Sequence, residues 1–253
     1  MLRKMVLPII ILLLAVPLVV VADSTSAPVA LTATQIVEKN VAARGGLQAW
    51  RSVKTLSMSG KLDAGGKQKV QLPFVLEMER NRKTRLELQF NGQTAVQVYD
   101  GTNGWKLRPF LNRNDVEAYT PEELKAASMQ ADIDGPLVDY AAKGTKVELE
   151  GVQQVDGRDA FNLKLTLNTG QVQHIWVDTQ NFLDVKIEGT PRRLDRRYHP
   201  VATYLRDYRS VSGLMIPYVN ETAVEGVRQT EKIIVEKVVV NPRLEDARFS
   251  KPQ

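Results

Sequence analysis

The chain has 253 residues, 43% hydrophobic and 25% charged, with a formal net charge of +5, two histidines and no cysteine. Its length suits one large domain or two small ones. The missing cysteines exclude disulfide scaffolds, thiolate nucleophiles, iron–sulfur clusters and cysteine-ligated zinc. They also exclude a lipid-modified N-terminus, whose processing needs a cysteine, and His174 and His199 alone disfavour a histidine-rich metal site.

At the N-terminus, Arg3 and Lys4 precede an uncharged run of eighteen residues, Met5 to Ala22. A basic start, an apolar stretch and small residues beyond it predict a secretory signal peptide over 1–22, cleaved before Asp23. Eighteen apolar residues also reach the lower limit for a spanning helix, so an uncleaved anchor is the alternative. Pro8, Pro17 and the polar Asp23–Ser26 favour cleavage. Cleavage leaves 231 residues with 32 basic and 29 acidic side chains, a net charge of +3. That near-neutral balance, with export, sets nucleic acid aside. One domain, 23–253, is expected, since composition does not shift between the halves.

A Ser/Thr/Ala/Pro tether, Ser24 to Leu31, leads into a predicted helix. Thr32 with Gln35 forms a capping box, Ile36, Val37 and Val41 follow at helical spacing, and Gly45-Gly46 ends the run. Leu47 to Val53, with Trp50, reads as a short second helix. From Lys54 the period becomes two. Leu72, Phe74, Leu76 and Met78 form one apolar face, and Leu86, Leu88 and Phe90 another. Val96 and Val98 follow the Asn91-Gly92 turn, and Trp105 and Leu107 follow Asp100-Gly101. Such alternation with regular turns predicts an antiparallel meander. Thr120-Pro-Glu-Glu123 then starts a helical insertion carrying Leu124, Met129, Ile133, Leu137, Val138 and Tyr140. Strands resume at Lys146, with Phe161, Leu163 and Leu165 the cleanest one-sided set. The expected fold is α+β: a single curled antiparallel sheet of about eleven strands, a half-open β-barrel, with an N-terminal helix and a helical lid.

The chemical motifs are thin. Gly-x-Ser-x-Gly is absent, and no hydroxyl is placed beside a histidine and an acid, so no enzymatic activity is expected. Asp132-x-Asp134-Gly135 fails as a calcium loop, because its glycine is misplaced and Lys143 stands where a glutamate is required. No metal and no cofactor is expected. Arg192-Arg-Leu-Asp-Arg-Arg197 reads as a solvated loop, with attraction to anionic lipid as its functional alternative. The apolar inner face is either core under the helices or the wall of an apolar ligand site.

The ordered set of motifs resembles the periplasmic lipoprotein-carrier superfamily of LolA/LolB-like fold. It comprises Glu77-Met-Glu-Arg80, Val98-Tyr-Asp-Gly-Thr-Asn-Gly-Trp105, Pro109-Phe110, the helical segment 120–142 and the terminal Phe249-Ser-Lys-Pro252. The family's Arg-Pro step is Arg80-Asn81 here. The resemblance implies a monomeric, non-enzymatic carrier or chaperone in the periplasm that takes lipid or lipoprotein acyl chains and meets membrane sorting proteins. It further implies a cavity lined by the inward residues of the strands above, a lid at 120–142, and a lid-holding role for Arg80 through helix carbonyls. A fifteen-carbon chain buried there gains ~12 kcal/mol before costs, so lid closure must compete with it for release. The alternative is an envelope regulatory or sensor module on the same scaffold.

Overall fold

Strand-forming sequence dominates from Thr55 onwards, and the computed structural model, which describes residues 31–65 and 70–253, turns it into one antiparallel sheet of 13 strands. The expected signal peptide, its cleavage point and the tether before Leu31 lie outside the described residues. Strands β1 (Thr55–Asp63), β2 (Gln71–Glu79), β3 (Lys83–Phe90), β4 (Gln93–Tyr99), β5 (Gly104–Arg108) and β6 (Arg113–Ala118) precede the helical insertion. Strands β7 (Lys146–Val155), β8 (Arg158–Thr166), β9 (Val172–Asp178), β10 (Asp184–Leu194), β11 (Arg197–Val211), β12 (Leu214–Val224) and β13 (Glu231–Val240) follow it.

Consecutive strands pair except β6 and β7, which form the two edges, and β1 closes on β13 in the middle of the sheet, giving the order β6-β5-β4-β3-β2-β1-β13-β12-β11-β10-β9-β8-β7. The sheet has more strands than the eleven expected. The clearest addition is β6, whose Arg-Asn-Asp-Val-Glu-Ala sequence carries one large apolar residue and so lacks any alternation signal. The arginine run is also not a loop. It forms the end of a β10–β11 hairpin, with Arg192 opposite His199 and a two-residue turn whose Asp195 and Arg196 have φ of 48° and 65°.

Two helices precede the sheet: α1 (Ala33–Ala43), with the Thr32/Gln35 capping box in place, and α2 (Leu47–Ser52). Gly45 joins them at φ 115°, where a Cβ would lie 2.3 Å from the Gly213 carbonyl oxygen, so only glycine fits. Ile36, Val37 and Val41 on α1 pack with Met78 of β2, Leu163 and Leu165 of β8, and Ile175 of β9 in one core. On a flat sheet β2 and β8 would stand seven spacings, about 34 Å, apart. An eleven-residue helix spans only about 16 Å, so the sheet curls around α1.

A polar pair, Asn40 and Asp184, is buried beside that core. Asn40 donates from Nδ2 to the Phe182 carbonyl (2.8 Å) and to Asp184 Oδ1 (2.9 Å), tying α1 to the start of β10. Arg44 comes no closer than 3.8 Å to Asp184, so burial outweighs both partners and pushes the carboxyl above its ordinary range. The unfolded chain therefore releases this proton first, and the Asp184 contribution to stability falls as pH rises from about 4. Asp184→Asn should remove that slope. In urea titrations between pH 4 and 8, the stability of the variant relative to the parent should climb with pH, and a pH-independent difference would contradict the assignment.

Candidate functional site

The two edge strands, β6 and β7, are joined by residues 119–145, which run from one edge of the curled sheet to the other. The first part is α3 (Pro121–Gln130), started by the Thr120/Glu123 capping box and by Pro121 at the first helical position. No residue of α3 is fully buried. The second part is a series of turns in place of the expected helical stretch beyond Leu137, since Gly135 (φ 77°), Asp139 (φ 53°) and Gly144 (φ 73°) interrupt it. Here Ile133, Leu137 and Val138 are buried in the α1 core, with Tyr140 packed against it.

Between α3 and the concave face of β1–β5 lies a cavity of about 510 Å³. Its apolar wall includes Phe74, Leu76, Met78, Leu86 and Leu88, five of the expected lining residues, together with Met58, Leu62 and Ile233. The helix faces it with Glu123, Ala126, Ala127 and Gln130, an i, i+3, i+4, i+7 stripe of small and polar side chains. The apolar lid residues Leu124 and Met129 are not among those lining it, and Met129 Sδ lies 4.0 Å from Thr190 Oγ1 on β10. A second, more open groove of about 520 Å³ lies between α1 and residues 137–142.

Several expected lining residues are elsewhere. Val96, Val98, Trp105 and Leu107 face the convex side, where Phe249 and Leu244 of the C-terminal segment cover them. The register explains this: Leu86 stands opposite Gln97 and Leu88 opposite Ala95, so Val96 and Val98 share the outer face with Glu87 and Arg85. Inside stand Gln97, Lys106 and Arg108, which alternation alone assigns to solvent. Phe161, Leu163 and Leu165 face inward but are packed in the core with α1. Phe90 packs edge-on against Phe110, ring centres 5.8 Å apart, and Leu72, opposite Leu62, does not line the cavity.

Arg80 directly follows β2 and joins three segments. Its guanidinium donates to the carbonyls of Trp50 (2.6 Å) and Val53 (2.7 Å) at the end of α2 and to Asp134 Oδ2 (2.7 Å) in the turn segment. Asp134 is 1% exposed and also accepts from Lys143 Nζ (2.6 Å), which lies 2.7 Å from Asp132. Burial would raise Asp134, but hydrogen bonds from Lys143, Asp132 and Arg80 hold its carboxyl below the usual range. Asp132 is the member of the pair pushed up, by burial first and by its neighbour's charge. These acids thus serve an ion-pair network, and among the described residues no cluster of His, Cys, Asp or Glu is grouped to hold a metal. Asn81, after Arg80, has φ 75°, a conformation open to asparagine and closed to proline.

No family model matches the chain, and no curated protein matches it in sequence. Solved structures do. A LolA superfamily protein from Nitrosomonas europaea superposes with a TM-score of 0.58 at 15% identity, over 88% of this chain and 99% of its own. The fold is LolA-like. A DUF1329 family protein from Desulfovibrio piger gives 0.59 at 12% identity, covering 87% of this chain and 98% of its own. A domain described as that of an outer membrane lipoprotein-sorting protein, from Vibrio parahaemolyticus, gives 0.56 at 11%, covering 87% and 96%. The LolA-like fold accounts for the long curled sheet, and the chemistry must be read from the cavity itself.

Proposed function

We propose that the protein is a carrier or chaperone that takes an acyl chain of a lipid or lipoprotein into the cavity under α3, outside the cytoplasm. The observation that carries this reading is the 510 Å³ cavity with an apolar wall on the concave face, within the range of small-molecule sites. The LolA-like fold supports it, as does the neighbouring domain described by lipoprotein sorting. In this reading Arg80 is a latch that keeps residues 131–145 against α2, and opening between α3 and the sheet admits the chain.

Leu86 is partly exposed to the cavity, so a charge there is tolerated by the fold and not by an acyl chain. Leu86→Glu should weaken binding of a fluorescent acyl probe about 100-fold or more, because the ligand would bury an unpaired carboxylate. The unfolding midpoint should stay within a few degrees of the parent. Equal probe binding by parent and variant would place any lipid site elsewhere. Native mass spectrometry of the purified protein should show bound lipid or lipoprotein.

A further inference from the structure

One end of the cavity is not apolar. Lys106, on β5, is 8% exposed, and its ammonium meets both carboxylate oxygens of Glu123 on α3 at 2.5 and 2.6 Å. Arg108, two residues on and on the same face, gives one guanidinium nitrogen to Glu117 at 2.7 Å. Its Nε is buried and has no hydrogen-bond partner among the described residues. Gln97 and Tyr119 complete this end. Tyr119 lies against Gly104, where a Cβ would come within 1.9 Å of the ring. Burial and then the Glu123 charge raise its hydroxyl to about 12, so it stays a neutral donor. Leu86, Leu88 and Phe74 line the cavity on the neighbouring strands of the same face.

From this geometry we infer that the cavity is built for an amphiphile with an anionic head, whose carboxylate or phosphate is received by Lys106 and Arg108 while its chain lies along Leu86, Leu88 and Phe74. The inference rests on the acyl-binding reading above and adds the head-group class to it. In this structure Glu123 fills the anion's place. Its side chain is 38% exposed, so it can turn to water when a ligand's anion takes over Lys106, whose own side chain is 10% exposed and cannot. Burial works against the Glu123 charge, and the hydrogen bond from Lys106 overcomes it, holding the carboxyl below its ordinary range. A carboxylate or phosphate satisfies Lys106 equally well and brings further oxygens to the unpartnered Arg108 Nε. Because α3 has no fully buried residue, the same exchange removes one of its ties to the sheet.

The test uses the full chain and three single-chain probes of equal length: palmitate, palmitoyl lysophosphatidate and neutral monopalmitoylglycerol, each displacing a fluorescent acyl probe. The parent should bind at least one anionic probe roughly tenfold more tightly than the neutral one, and the better of the two identifies the head group. Glu123→Gln keeps the capping box, which accepts glutamine at this position, while removing the competing charge. It should tighten the preferred anionic probe roughly threefold to tenfold and leave the neutral one unchanged. Lys106→Gln should abolish the preference. Equal affinity for all three probes, unmoved by Glu123→Gln, would overturn the head-group assignment and leave acyl binding standing. Failure of all three probes to bind would overturn the acyl-binding reading itself, and this assignment with it.

Discussion

Replacing Phe249 by alanine should cost the fold about 3–5 kcal/mol, the range for deleting a buried aromatic ring from a core. Phe249 is 2% exposed and sits on Val96 and Val98 on the outside of the sheet, with the Lys83 ammonium 5.8 Å from its ring centre. Its neighbour Arg248 donates to Glu77 (2.8 Å) and Glu87 (3.0 Å) on the same convex face. Those ion pairs are partly exposed and add at most about 1 kcal/mol, so Arg248→Ala should be far milder. Urea unfolding of the two variants checks the order: the Phe249→Ala midpoint should drop well below that of Arg248→Ala, with similar m-values. A loss under about 1 kcal/mol at Phe249 would mean that the C-terminal segment is not part of the folded unit.

Arg80→Leu should cost about 2–3 kcal/mol, and most of the damage should be local. Three donated hydrogen bonds vanish, and Asp134 keeps a buried charge with Lys143 as its remaining cation. Removing one partner of a fully buried pair costs about 3–5 kcal/mol. The Arg80 side chain is 35% exposed, which reduces that figure through solvent screening. Hydrogen exchange of residues 133–145 should accelerate more than that of the strands. Lysine at 80 should rescue poorly, because one ammonium cannot reach three acceptors in a fixed plane. Unchanged exchange in 133–145 would remove the latch role.

Much of the fold was legible in sequence, because hairpin turns and period-two alternation are local signals. The helix caps at Thr32 and Thr120 are local signals too, and both stand in the structure as capping boxes. Which face is inside is not local. Alternation in β4 and β5 marks Val96, Val98, Trp105 and Leu107 as one apolar face, and the natural inference sends it to the cavity. The C-terminal segment, about 150 residues away in the chain, covers that face from outside. The Asn91-Gly92 turn held the correction. A two-residue turn makes residues equidistant from it share a face, so an inward Leu86 forces an inward Gln97. Lys106 follows one strand on, where the four-residue turn over 100–103 sets it opposite Gln97. The polar end of the cavity was therefore readable from register where hydropathy hid it. Strand β6 was not, since its pairing with β5 comes from position at the sheet edge and not from an apolar face of its own.

The pairing of β1 with β13 bears on how the chain reaches this state. Every other ladder joins consecutive strands and can form by local zipping. Bringing Leu56 opposite Val240 closes a loop of some 180 residues, at an entropic cost of roughly 4–5 kcal/mol beyond the constant part. The two wings of the sheet can thus assemble early and separately, and the seam between them, at the centre of the sheet, is where the slow step of folding falls. A chain that begins to fold from the unfolded state thus carries its most delayed contact between its first strand and its last.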